Sequence, residues 1–281
     1  MPPLWETASV TCCEPDMEAP RGTCPSNGVT SAPRTDGFGA QYAAMASVYS
    51  WARRRRRPYC TSQWKAMEHP TGSTPPALFH FVGGPAYGPP ASNSTLGFSE
   101  QHMPLAMLRN RTAAWHPDIR DFYHAAWPKP PLQWFAPGTF NLAVHVRRGD
   151  VRMTTGHDRF MSNGLVAQCI LGALSSLPRA AGVHVFSQGE RVDFGVLQKV
   201  PRVQFHLNAP LALTFHHLVH ADALVMAAST LSDMAAFLAA GRPKAQIFAS
   251  PAAHGLLHYM HDVDVRPRDC TRKRHTTRRV L

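Results

Sequence analysis

The stretch Asn141-Leu-Ala-Val-His-Val-Arg-Arg-Gly-Asp-Val151 begins as an apolar run and ends in charge. β-Branched residues at Val144 and Val146 predict a buried strand. It runs into two arginines, a glycine and an aspartate. Arginine is a planar, permanently charged fork that pairs bidentately with phosphate. Two of them at the carboxyl end of a strand, before a glycine turn, stand where open α/β sheets bind ligands. Side chains alternate across a strand, so His145 and Arg147 share a face. Arg147 is therefore the expected phosphate contact. Arg148 is expected to pair with Asp150 or another carboxylate and hold the loop.

The pattern around this stretch is regular. After the strand at Leu142–Val146, a helix is predicted over about Met161–Leu177, closed by Pro178. A strand at Val183–Phe186 ends in Ser187-Gln-Gly-Glu190. A short helix over Phe194–Val200 leads to a strand at Val203–Leu207 and a helix at Leu211–Val219. A strand at Ala223–Met226 then meets Ser229-Thr-Leu-Ser-Asp233, which starts a helix running to Ala240. Thr230-x-x-Asp233 has capping-box form, and Gly241 with Pro243 stops the helix. Gln246–Phe248 closes the series. Strand–helix alternation with short loops predicts an α/β fold with a parallel, Rossmann-like sheet flanked by helices.

The first half is less regular, and the 25 prolines of the chain cluster there. Residues 1–35 lack apolar period and read as a disordered tail. Residues 36–137 form an N-terminal unit. Within it, Gly37-Phe-Gly-Ala-Gln41 opens a helix at Tyr42–Ala52; glycines before a helix let backbone amides approach an anion. Ala77–Gly83 reads as a short strand, and Met103–Tyr123 as two short helices. Trp127–Pro137 reads as a linker. Residues 138–265 form the sheet domain and 266–281 a basic tail.

At 281 residues the chain can bury a sizeable core. A formal net charge of +11 favours acidic partners. Part of it lies in the run Arg53–Arg57 and in Arg266–Arg279, which are ordinary for solvated faces and tails. Six cysteines occur, at positions 12, 13, 24, 60, 169 and 270, and their spacing fixes no disulfide framework. No Cys-x-x-Cys pair occurs, which argues against zinc. His216, His217 and His220 lie on one helix, but the glutamate of a His-Glu-x-x-His metal motif is absent. No Gly-x-Ser-x-Gly elbow supports hydrolysis. Asn93-Ser-Thr and Asn110-Arg-Thr are glycosylation sequons. Met1–Met17 carries Glu6, Glu14 and Asp16 and no apolar core, so no signal peptide is legible. The most apolar window, Leu218–Ala240, is broken by His220, Asp222 and Asp233, and no transmembrane segment is expected.

Three stretches together resemble the fucosyltransferase superfamily that carries an HxRR motif: the α1,2-, α1,6- and protein O-fucosyltransferases. Gly37-Phe-Gly-Ala-Gln41 is similar to that family's N-terminal glycine loop, His145-Val-Arg-Arg-Gly-Asp150 to its arginine motif, and Ala228-Ser-Thr-Leu-Ser232 to its C-terminal serine loop. The resemblance implies a GT-B architecture, two Rossmann-like domains facing a cleft. The C-terminal one would hold a nucleotide-sugar donor, GDP-fucose, without an essential metal or other cofactor. A glycan or glycoprotein would be the acceptor, in a Golgi or other secretory lumen. Carried over residue by residue, the donor contacts are Gly37, Phe38, Gly39, Ala40, Gln41, His145, Arg147, Arg148, Thr214, Ser229, Thr230, Leu231 and Ser232, with Ser187 at the next strand end. Arg147 would stabilise the departing diphosphate, and Asp150, His157 and Asp158 are the candidate bases, with Asp158 the one chosen. The chain departs from the family at Ala40, where asparagine is usual, at Val151, where tyrosine is, and at Thr214, where a carboxylate reads guanine. Two competing functions are carried forward. One is an inactive nucleotide- or glycan-binding protein on the same scaffold. The other is a nucleic-acid-binding protein driven by the arginine runs, for which the α/β half offers no motif.

Overall fold

A computed structural model describes residues 24–31, 35–60, 64, 67, 74–84, 95–96, 115–126, 128–152, 159–178, 180–249 and 268–271. The elements in chain order are β1 (Thr30–Ser31), α1 (Phe38–Arg54), α2 (Pro75–Phe81), β2 (Thr95–Leu96), α3 (Asp118–Ala125) and β3 (Asn141–Val146). Then come α4 (Asn163–Leu174), β4 (Gly182–Ser187), a 3-10 segment (Arg191–Lys199), β5 (Val203–Leu207), α5 (Leu211–His220), β6 (Ala223–Val225), α6 (Thr230–Ala239), β7 (Gln246–Ala249) and β8 (Arg268–Asp269).

β3 to β8 form one parallel sheet in the order β5-β4-β3-β6-β7-β8. The chain lays β3, β4 and β5 outward in one direction. It then returns to place β6 on the other side of β3. The direction reverses between β3 and β6, and a crevice opens at the carboxyl ends of strands where this happens. The residues that form β3 explain its place. All six are buried, and they alternate between two cores. Leu142, Val144 and Val146 meet Val166 and Ile170 of α4 and Leu197 of the 3-10 segment. Ala143 faces the other side, among Phe215 of α5 and Met234 and Phe237 of α6. Continuous apolar strands are what a sheet covered on both faces requires.

The second core also takes Tyr42 and Met45 of α1, Leu78 of α2 and Ile119 and Tyr123 of α3. The described helices of the N-terminal half therefore pack on the α5–α6 side of the sheet and share its core. Each large side chain so buried contributes about 1.5–3 kcal/mol, which ties the two halves together.

Several expectations need correction. Ala77–Gly83 is no strand: Thr74 caps a helix by accepting from the Ala77 amide at 3.3 Å, and Pro75 and Pro76 occupy its first positions. Proline there has its φ preset and lacks only an amide the helix would not use. Of the expected tail, Cys24–Ser31 is tied to the rest of the chain. Val29 is buried, its carbonyl accepts from the Cys60 amide, and Cys24 pairs with Cys60. The far end is likewise not all tail: Arg268–Asp269 is the sheet's last strand, and Cys270 is joined to Cys169 of α4. Residues 128–137 are more than a linker. Trp134 stacks on His206 at 4.2 Å, and Phe135 meets His184 and His217 edge-on. Of the region 103–123, the described part carries one helix, α3.

Candidate functional site

The three loops singled out in the sequence meet at the switch point. His145 is the last inward-facing residue of β3, and its Nδ1 lies 2.6 Å from Ser232 Oγ. The same Oγ accepts from the Ala227 amide at 3.1 Å. Whichever partner donates in the first bond, it ties the end of β3 to the first turn of α6. Burial, with a smaller push from Arg147, lowers His145 to about 3, so the ring is neutral. Ser229 is the N-cap of α6, its Oγ accepting from the Leu231 amide at 3.3 Å. The cap is thus one residue before the expected Thr230, and Asp233 makes no capping box. Asp233 is instead buried with neither carboxyl oxygen hydrogen-bonded, and desolvation raises it to about 8. Thr230 and Leu231 are half-buried at the helix start.

The glycine loop reaches this point from the other half of the chain. Gly37 is the N-cap of α1. A Cβ built on Gly39 would lie 2.5 Å from the Leu231 amide nitrogen and 2.8 Å from its Cα. Only glycine permits the first turns of α1 and α6 to touch backbone to backbone. Both helices bring the positive ends of their dipoles and amides without intrahelical partners to one place. Such a pair repels unless an anion sits near it. The other loop residues play different parts. Phe38 is buried among Tyr42, Trp64 and Phe215. The Gln41 amide donates to the Asp36 carbonyl at 3.1 Å. Ala40 is half-buried. Gly39→Ala should lower stability by about 2–3 kcal/mol, the cost of overpacking, and weaken anion binding with it. Thermal denaturation and GDP calorimetry on the variant check both.

Arg148 holds the loop as expected, but it is not the partner of Asp150. Arg147, not Arg148, pairs with Asp150: Nη2 is 2.5 Å from Oδ2 and Nε 3.4 Å from Oδ1. Gly149, at φ +80°, turns the chain so that the aspartate folds back on the arginine. Strand alternation ends at this turn, which is why it misdirects the expectation. Arg148 is the loop anchor. It donates to the carbonyls of Arg147 and Met161 and to Asn163 Oδ1, and it lies over the Phe160 ring at 4.4 Å. Ser187 spends its hydroxyl on the Val146 carbonyl at 2.6 Å, joining the ends of β3 and β4. Thr214 sits half-buried in the first turn of α5, and its amide bonds to the Pro210 carbonyl. Among the described residues, no hydrogen bond joins it to the other site residues. Asp158 lies outside the described residues, as does His157.

Two features were missed in the sequence reading. One is the Asp150 clasp on Arg147. The other is a lattice of neutral histidines on the inner sheet face. His184 bonds His206 at 3.0 Å and Asn141 at 3.2 Å. His217 bonds the Leu213 carbonyl, and His216 bonds the Tyr123 hydroxyl at 2.8 Å. A single histidine in each of two predicted strands, His184 in Val183–Phe186 and His206 in Val203–Leu207, was the available signal for the first pair. Among the described residues no group of three or more His, Cys, Asp or Glu is arranged to hold a metal ion. No described helix is long and apolar enough to cross a membrane.

Fold and site together define an α/β protein in which three loops gather at the switch point of a parallel sheet. Among solved structures, the chain is similar to the fucosyltransferase NodZ from Bradyrhizobium, at 13% identity over 76% of this chain and 93% of that one, with a TM-score of 0.41. NodZ alpha-1,6-fucosyltransferase soaked with GDP-fucose matches over the same shares with a TM-score of 0.40. A mutant of Arabidopsis thaliana FUT1 in complex with GDP matches at 12% identity over 83% of this chain and 71% of that one, with a TM-score of 0.35. No protein-family model matches the chain, and no curated protein matches it significantly.

Proposed function

We propose that the chain is a glycosyltransferase of the fucosyltransferase type, taking a nucleoside-diphosphate sugar, GDP-fucose first, at the β3–β6 crevice. One observation carries this reading. Two helix N-termini meet, through the Gly39–Leu231 approach, beside the end of β3, the strand that leads directly into Arg147, where the sheet reverses direction. Such a place suits a diphosphate, and the three loops that build it are those that resemble the family's donor loops.

The chemistry follows from the charge. Inverting transfer breaks the anomeric C–O bond as the acceptor hydroxyl attacks. Positive charge grows on the sugar ring and negative charge on the departing diphosphate. A guanidinium and oriented amides already in place stabilise that negative charge without reorganising. The acceptor hydroxyl gives its proton to a base, and Asp158 is the candidate carried from the sequence. A glycan or glycoprotein hydroxyl is the proposed acceptor. The test is calorimetry with GDP and UDP, followed by release of GDP from GDP-fucose. GDP binding with turnover is expected. GDP binding without turnover selects the inactive-scaffold reading, and no binding of either nucleotide overturns both.

A further inference from the structure

We infer that Asp150 is a positioning residue: it grips one edge of the Arg147 guanidinium and leaves the other edge set to receive the diphosphate. The inference rests on the proposed reading of the crevice. Arginine offers its N–H groups along separate edges of one plane. Asp150 occupies the edge formed by Nε and Nη2, at 3.4 and 2.5 Å. Nη1 makes no hydrogen bond among the described residues. A side-on carboxylate grip of this kind fixes the last torsions of a long side chain, so the unused edge points one way.

Three neighbouring contacts make the grip rigid. Gly149 turns at φ +80°, and the space where its Cβ would stand is filled by Gln188, 2.3 Å away. Arg148 pins the loop to Met161 and Asn163. Two residues upstream, His145 binds the first turn of α6. The backbone carrying Arg147 is thereby held at both sides, and Asp150 supplies the remaining constraint on the side chain itself. The carboxylate also sets a negative charge beside the anion site. That charge opposes tight binding of the diphosphate product while the grip favours its formation.

The two effects separate in Asp150→Asn. The amide keeps the size and one acceptor but loses the charge and the two-point grip. Release of GDP from GDP-fucose should fall about tenfold or more, as a preorganised donor is loosened. GDP should bind about threefold tighter, because the nearby like charge is gone. Arg147→Ala serves as the reference in which both fall. Unchanged turnover in Asp150→Asn overturns the inference. So does GDP binding that weakens in step with turnover, which is what a purely structural role gives. A wild-type protein that binds no GDP overturns the crevice reading itself, and the role of Asp150 with it. A wild type that binds GDP without turnover leaves the calorimetry to decide: tighter binding in the variant supports the role, and equal or looser binding overturns it.

Discussion

Arg147→Ala should lower the release of GDP from GDP-fucose by about 10²–10³-fold while leaving the fold intact. The side chain is 19% exposed, and its ion pair with Asp150 is three residues away in sequence. A pair of that kind contributes little to stability, typically under about 1 kcal/mol. The melting temperature should therefore stay within about 2 °C of wild type. What is lost is a guanidinium at the end of β3 whose Nη1 makes no hydrogen bond among the described residues, whereas Arg148 is spent on Met161 and Asn163. Arg147→Lys should recover only part of the rate, because an ammonium is a point charge without the fork. Full turnover in Arg147→Ala, with GDP bound as in wild type, would refute the assignment of this residue.

The second large effect is acid lability. Burial lowers His145 and His216 to about 3, and His184, His206 and His220 to about 4. Each is a base that the folded chain keeps neutral. As pH falls below the ordinary value near 6.5, the unfolded chain takes up the protons first, and stability is lost until the folded-state values are reached. One unit into that window, each fully buried histidine removes about 1.4 kcal/mol. His145, His184 and His216 are at most 8% exposed and count in full. His206 and His220 are more open and count for less. Asp233 acts oppositely. Its raised value means the folded chain holds a proton the unfolded one has released, so acid favours it by about 1.4 kcal/mol per unit. One carboxyl does not offset the histidines, and a net loss of about 3 kcal/mol is expected between pH 6.5 and 5.5. The melting temperature, followed by circular dichroism, should drop by roughly 10 °C. A flat profile over that unit would show that the histidines are not buried as neutral groups.

The sheet half was legible because its strands are buried on both faces. Val144, Val185 and Val225 sit in largely apolar runs, and Gly241 marks the end of α6 where capping chemistry predicts, although that helix is capped by Ser229 rather than the expected Thr230. The three site loops were legible for the same reason: they follow those strands directly. The remainder depends on contacts distant in sequence. Nothing local tells that Cys169 meets Cys270 across 101 residues, or that Gly39 touches Leu231. Phe79 and Phe81 mimic a strand until Thr74 and two prolines are weighed as a helix start. That Asp150 pairs with Arg147 rather than Arg148 follows from the turn at Gly149. Alternation holds along β3 and stops at a left-handed glycine, beyond which the side chains follow the turn.

The outermost ribbon of the sheet comes from beyond residue 265. Arg268 and Asp269 satisfy the backbone groups that Phe248 and Ala249 would otherwise present to solvent. An expression product trimmed at the basic tail would bare an unprotected apolar margin, inviting self-association through strand pairing. It would also strand Cys169 as a lone thiol in the core. Soluble protein for any of these experiments therefore depends on keeping the chain through at least Thr271.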